Sequence, residues 1–262
     1  MKEERSAFSG NWLVSEYLYT PAGEFVGLIH QRRRVQPNGE LTRVIQITEK
    51  VELAESISDE AKALAGIMDE RAGASTFDLK LAGQARHYLG EDVIGGGFSW
   101  KDGVLTAKGL WTRFGYNFTS FSILLNPRRQ VTGGRYYKAN QEIAVIVGVA
   151  VPEEEGFPEM TSGDMAKEYR GERFTISPDG ELIETTSIAT NEHTFTDKEG
   201  LRGNEKEYGA LREMECVTAP GETISAIEIA DHASGSVAGI WKKFRDEKLF
   251  QVEVYVLKAN ER

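Results

Sequence analysis

The sequence has a single cysteine, Cys216, in 262 residues. One thiol excludes an internal disulfide and leaves no Cys-based zinc cluster. The four histidines, His30, His87, His193 and His232, are far apart and none shows the His-X-X-X-His spacing of a metal site, so neither a metal nor a cofactor is expected. Long hydrophobic runs are missing as well. Met1-Lys2-Glu3-Glu4-Arg5 is charged and no apolar stretch follows it, so no signal peptide and no membrane insertion is expected, and the expected location is cytoplasmic.

Positive charge is in the minority, with 31 Lys and Arg against 41 Asp and Glu and a formal net charge of −10. The acidic residues are spread along the chain, an arrangement that repels phosphate backbones and argues against nucleic acid as a partner. Arg32-Arg33-Arg34 is the only dense basic run, and inside a predicted strand it reads as a solvated face. Signature loops are absent too. Gly95-Gly96-Gly97 lacks the Lys and Ser/Thr of a phosphate loop and reads as a turn or bulge, and no Gly-X-Ser-X-Gly elbow supports nucleophilic hydrolysis.

What the chain does have is an ordinary globular balance, 40% hydrophobic and 27% charged, which predicts a folded protein. Short runs of Val, Ile, Thr, Tyr and Phe alternate with turn residues, the signature of hairpin-connected antiparallel strands. Asn38-Gly39 and Asp102-Gly103 are the strongest hairpin signals. One stretch breaks the pattern. Ala61, Leu64, Ala65, Ile67 and Met68 recur at helical spacing behind Ser58, a residue suited to an N-cap, so a helical insertion near 58–69 is expected.

From Pro152 to Met165 the sequence carries prolines, glycines and a run of glutamates without strand periodicity, so residues 152–165 read as an exposed linker. The expected division is therefore 1–151, a β half with the helical insertion, and 166–262, a second, smaller β half. Two internal similarities support a duplicated β unit. Pro37-Asn38-Gly39-Glu40-Leu41 recurs as Pro178-Asp179-Gly180-Glu181-Leu182, and Gly134, Tyr136 and Lys138 recur as Gly239, Trp241 and Lys243.

The opening Phe8-Ser9-Gly10-Asn11-Trp12 resembles the Gly-X-Trp start of lipocalin-like barrels, and Tyr17 to Glu24 followed by a Pro-Asn-Gly turn is similar to the first strands of bacterial and cyanobacterial lipocalin-like proteins of unassigned function. The Thr-Asp-Tyr motif of lipocalins is not found, since Thr196-Asp197 is followed by Lys198, so the resemblance is to the wider calycin group. It implies a mostly β protein with an antiparallel lipocalin-like barrel, a tandem arrangement of such halves, and a tryptophan closing one barrel end.

A barrel of this size is either filled by side chains or just able to hold one small ligand. In the run after Gly103, Leu105, Ala107, Gly109, Trp111 and Arg113 fall on one face, small residues beside a tryptophan and an arginine. Tyr116, Asn117, Arg135 and Tyr137 follow, aromatic rings with a few polar groups, as ligand pockets are composed. Trp111, Arg113, Tyr116, Asn117, Arg135 and Tyr137 are thus the expected ligand contacts for a small apolar molecule. The alternatives are a cofactor-free isomerase, cyclase or hydratase using His87, Glu91 or Tyr116 as acid or base, and a protein-interaction module.

Overall fold

The structure is a computed structural model that describes residues 6–59, 61, 62, 64, 73–160, 168–190 and 203–260. The chain divides into two compact units, with the cut between Glu159 and Met160. In the first unit ten strands are formed: β1 (Gly10–Tyr19), β2 (Phe25–Asn38), β3 (Leu41–Leu53), β4 (Gly73–Ala82), β5 (Ala85–Leu89), β6 (Val93–Lys101), β7 (Val104–Trp111), β8 (Tyr116–Asn126), β9 (Arg129–Lys138) and β10 (Gln141–Pro152). Each pairs antiparallel with its sequence neighbour, and β1 pairs with β10 to close the barrel.

The second unit is a seven-stranded antiparallel sheet built from β11 (Tyr169–Ile176), β12 (Leu182–Thr190), β13 (Gly203–Tyr208), β14 (Leu211–Ala219), β15 (Glu222–Asp231), β16 (Ser236–Arg245) and β17 (Lys248–Ala259). Its strand order is β12-β11-β17-β16-β15-β14-β13. The final hairpin of each unit reverses in the same way. Ala139 and Asn140 both take positive φ, at 48° and 65°, as do Asp246 and Glu247, at 48° and 63°. Two such residues in succession match the right-handed twist of the strands they join.

Among the described residues no helix is long and apolar enough to cross a membrane. Of the expected helix near 58–69, residues 59, 61, 62 and 64 are helical. The Ala61 N–H donates to Ser58 Oγ at 3.2 Å and the Lys62 N–H to the Ser58 carbonyl at 2.9 Å, so Ser58 acts as the cap. Ala61 and Leu64 are buried in the barrel's apolar cluster. The remainder of that stretch lies outside the described residues.

The cut between Glu159 and Met160 falls inside the expected 152–165 linker, at whose start Pro152 ends β10 and Glu153–Glu155 form a single 3-10 turn with Glu154 and Glu155 exposed. Glu153 accepts from Arg32, Glu154 and Glu155 from Arg128, and the Phe157 ring lies 4.5 Å from the His30 imidazole. Residues 161–167 lie outside the described residues. One expectation is corrected: Arg32-Arg33-Arg34 is not one solvated face, because strand alternation sends Arg33 inward, with its side chain only 14% exposed, and Arg32 outward to Glu49 and Glu153.

The second unit packs Tyr169, Met214, Cys216, Ile224, Trp241, Tyr255 and Leu257 on one sheet face. Gly239 makes this possible, since a Cβ there would stand 2.3 Å from the Tyr255 ring. The ring lies across the glycine and its hydroxyl reaches Glu228 at 2.6 Å, while Trp241 Nε1 donates to the same hydroxyl at 3.2 Å.

Candidate functional site

The site is the lumen of the barrel. Residues directly opposed across an antiparallel pair share a face, so the register traces rows around the inside wall. One row runs Arg86, Gly97, Ala107, Ser120, Gly134 over β5 to β9. After the arginine it holds nothing larger than a serine. The neighbouring row runs Tyr88, Gly95, Gly109, Phe118, Tyr136 over the same strands. Here aromatic rings stand on both sides of paired glycines.

The glycines of the second row are already covered. A Cβ on Gly109 would sit 2.9 Å from the Phe118 ring, so that ring lies over the backbone of β7. Phe118 stacks on Tyr88 at 6.5 Å and 14°, Phe77 meets Tyr88 at 5.6 Å, and Trp111 approaches Phe77 edge-on at 6.2 Å and 90°. The lumen holds a cavity of about 160 Å³ whose lining includes Phe77, Tyr88, Trp111 and Phe118, the charged Glu16, Arg33 and Arg86, and Ser120 and Gly134 of the small-residue row.

The polar groups of the lumen are not alike. Glu16, 6% exposed, accepts from Gln31 Nε2 at 3.1 Å and from Arg33 Nη2 at 3.2 Å. With its amide oriented to match, Gln46 accepts from Arg33 Nε at 2.9 Å. Arg33 is therefore neutralised and held. Arg86 is 7% exposed and is bound by hydroxyls instead: Nε donates to Ser99 Oγ at 2.9 Å and Nη1 to Ser6 Oγ at 3.0 Å, with the Phe8 ring 5.6 Å from the guanidinium carbon. No carboxylate among the described residues forms an ion pair with it.

Burial lowers the pKa of Arg86, and the fields of Tyr88 and Asp102 work against that fall. Tyr88 is pushed up to about 12, chiefly by burial, against the pull of Arg86 and Arg33. Its phenol keeps its proton at neutral pH. At the barrel's beginning Trp12 is buried with Val14 and Ala150, and its Nε1 donates to the Phe8 carbonyl at 3.0 Å. Gly10 takes φ of 146° and a Cβ there would lie 3.2 Å from Trp12 Nε1, which accounts for the Gly-X-Trp spacing.

Of the residues read from sequence, Trp111 and Arg135 line the cavity. Arg135 is paired with Glu142 at 2.8 Å. Tyr116 is buried in the same apolar cluster but is not part of the lining. The others stand elsewhere. Asn117 and Tyr137 are cross-strand partners one residue out of step with the lumen positions Phe118 and Tyr136, so alternation turns them outward. Arg113 is exposed in the β7–β8 turn, with its guanidinium carbon 5.5 Å from the Phe114 ring. His87 is exposed between the inward Arg86 and Tyr88, and Glu91 is exposed in the turn before β6.

Sequence reading missed Arg86, Tyr88, Phe118 and Arg33. The signal available was alternation about His87, which places its two neighbours on the opposite face from it. Gly95-Gly96-Gly97 proves to be part of strand β6 and not a turn. Among the described residues no group of three or more His, Cys, Asp or Glu side chains is placed to hold a metal ion.

The whole chain is similar in fold to a solved protein of unknown function from the DUF3598 family of Nostoc punctiforme, at 9% identity and a TM-score of 0.54, over 97% of each chain. Likeness at that identity shows the fold alone. Two further solved structures, the DNA polymerase accessory subunit PF-8 of Kaposi's sarcoma-associated herpesvirus and the Helicobacter pylori beta clamp, reach TM-scores of only 0.13 and 0.10 and carry no argument. No family model and no curated protein matches the chain.

Proposed function

We propose that the barrel is a lipocalin-like container that binds a small, largely apolar molecule, and that the second unit is a related copy of the same β unit. The observation that carries the binding reading is the cavity of about 160 Å³ beneath Phe77, Tyr88, Trp111 and Phe118. A void of about 150 Å³ with an apolar lining admits a benzene-sized molecule. The small residues Ser120, Ser122 and Gly134 line that space and leave it open.

A cofactor-free isomerase, cyclase or hydratase using the same cavity has less support. Glu16 is already bonded to Gln31 and Arg33, and Tyr88, at about 12, holds its proton at neutral pH. Native mass spectrometry of the full chain purified from its own host tests the binding reading. The expected spectrum contains the protein with one retained small molecule of a single mass. A spectrum of bare protein, unchanged after incubation with small aromatic compounds, would contradict it.

A further inference from the structure

We infer that the molecule held in the barrel carries a single carboxylate, seated on Arg86. The inference rests on the binding reading and adds the chemical class of the ligand. Its basis is a charge count inside the lumen. Of the charged residues lining the cavity, Glu16 pairs with Arg33 and Arg135 with Glu142. Arg86 alone is left with a neutral set of partners, the hydroxyls of Ser6 and Ser99 and the ring of Phe8. Asp102 acts on it through its field without forming an ion pair.

A buried cation without a counter-ion is costly, and its retention in an interior wall is explained by an anion that arrives with the ligand. The geometry fits a carboxylate. An arginine has five N–H donors in a planar fork. Here two are spent on Ser99 and Ser6, which leaves three for a ligand, enough for two parallel bonds to one carboxylate. Because each serine oxygen accepts from the guanidinium, its own O–H is free to donate onward.

The cavity that Arg86 lines supplies the room, with Ser120, Ser122 and Gly134 also in its wall. The rings of Tyr88, Phe118, Phe77 and Trp111 begin one row away, at the distance of a short apolar body attached to the carboxylate. One uncompensated positive charge matches one negative charge. A dianionic phosphate would leave the apolar wall facing surplus charge.

Calorimetric titration of the full chain at pH 7 with benzoate and with its neutral isostere benzamide tests this. Benzoate is expected to bind roughly ten- to a hundredfold more tightly than benzamide, the range of one charge-assisted hydrogen-bonded contact. Arg86→Met should bring benzoate down to the affinity of benzamide and leave benzamide unchanged. If Arg86→Met fails to fold, Arg86→Lys, which keeps a charge and loses the fork, should reduce the preference for benzoate. Equal affinities for the two probes in the wild type would overturn the carboxylate inference while the binding reading stands. Failure of both probes to bind would overturn both.

Discussion

Gly239 in the sheet and Gly97 in the barrel occupy similar positions, each directly across from a large polar side chain on the next strand, and they meet opposite fates. Across from Gly239 is Tyr255, whose ring fills the space over the glycine and whose hydroxyl joins Trp241 to Glu228. Across from Gly97 is Arg86, whose guanidinium turns to Ser99 and Ser6. A Cβ on this glycine would meet the Thr106 carbonyl and Leu105, and the open space is lined farther along the row by Ser120 and Gly134. In the sheet the buried polar groups answer one another: Glu253, 4% exposed, is held by Lys243 and Gln251 as well. In the barrel one cation is left for a guest. The large polar side chain is thus answered inside the sheet by Trp241 and Glu228, whereas in the barrel it is a cation held by hydroxyls beside a cavity.

The largest expected effect is on the closed interior. Trp241→Ala should cost about 3–5 kcal/mol, as other buried Trp or Phe truncations do. Urea unfolding checks it, and a loss under about 1 kcal/mol would mean that the face is loosely packed. The next effect depends on pH. Burial raises Glu228 from 4.5 to about 7, although its bond from Tyr255 pulls the other way. A carboxyl raised on folding contributes stability that is fully present below its unfolded value and is lost as pH rises through its folded value. Relative to Glu228→Gln, the wild type should therefore lose stability between about pH 4.5 and pH 8. The loss should reach roughly 3 kcal/mol, since each pH unit between the unfolded and folded values contributes about 1.4 kcal/mol. Parallel stability curves for the two proteins would place Glu228 outside that role.

A matched pair of fillings sharpens the contrast within the barrel. Gly109→Leu drives a side chain into the Phe118 ring and should cost about 1–3 kcal/mol, the usual penalty of overpacking. Ser120→Leu projects into the cavity and should cost less than about 1 kcal/mol on the same scale. Equal losses of melting temperature would show that the two rows are packed alike. The smallest effects belong to the outward residues. Arg113→Leu and Asn117→Ala should change stability by no more than about 0.5 kcal/mol, with benzoate affinity unaltered. A drop in affinity for either would return that residue to the site.

The β class and the reversals were legible because their causes are local. Asn38-Gly39 and Asp102-Gly103 mark hairpins by backbone chemistry alone. The lumen was legible only in part. Alternation divides each strand into two faces, but it does not say which face turns inward, and that choice rests on the partner strand. So Asn117 and Tyr137 read as well as Phe118 and Tyr136 until their register is known. Gly95-Gly96-Gly97 read as a turn or bulge because glycine is poor in strands, and only the register reveals a strand in which a Cβ on Gly95 or Gly97 would run into the backbone of β7. The glutamates after Pro152 read as an exposed linker from composition, and the chain divides within that stretch, but their ion pairs with Arg32 and Arg128, far away in sequence, were not legible.

The central claim is that the open row of the barrel holds a small molecule, and the most direct measurement is native mass spectrometry of wild type and Ser120→Leu prepared from the same host. The wild type should carry one bound small molecule, and the folded variant, with its cavity filled by leucine, should carry none. The same mass on both proteins at equal occupancy would place the molecule outside the lumen and contradict the account.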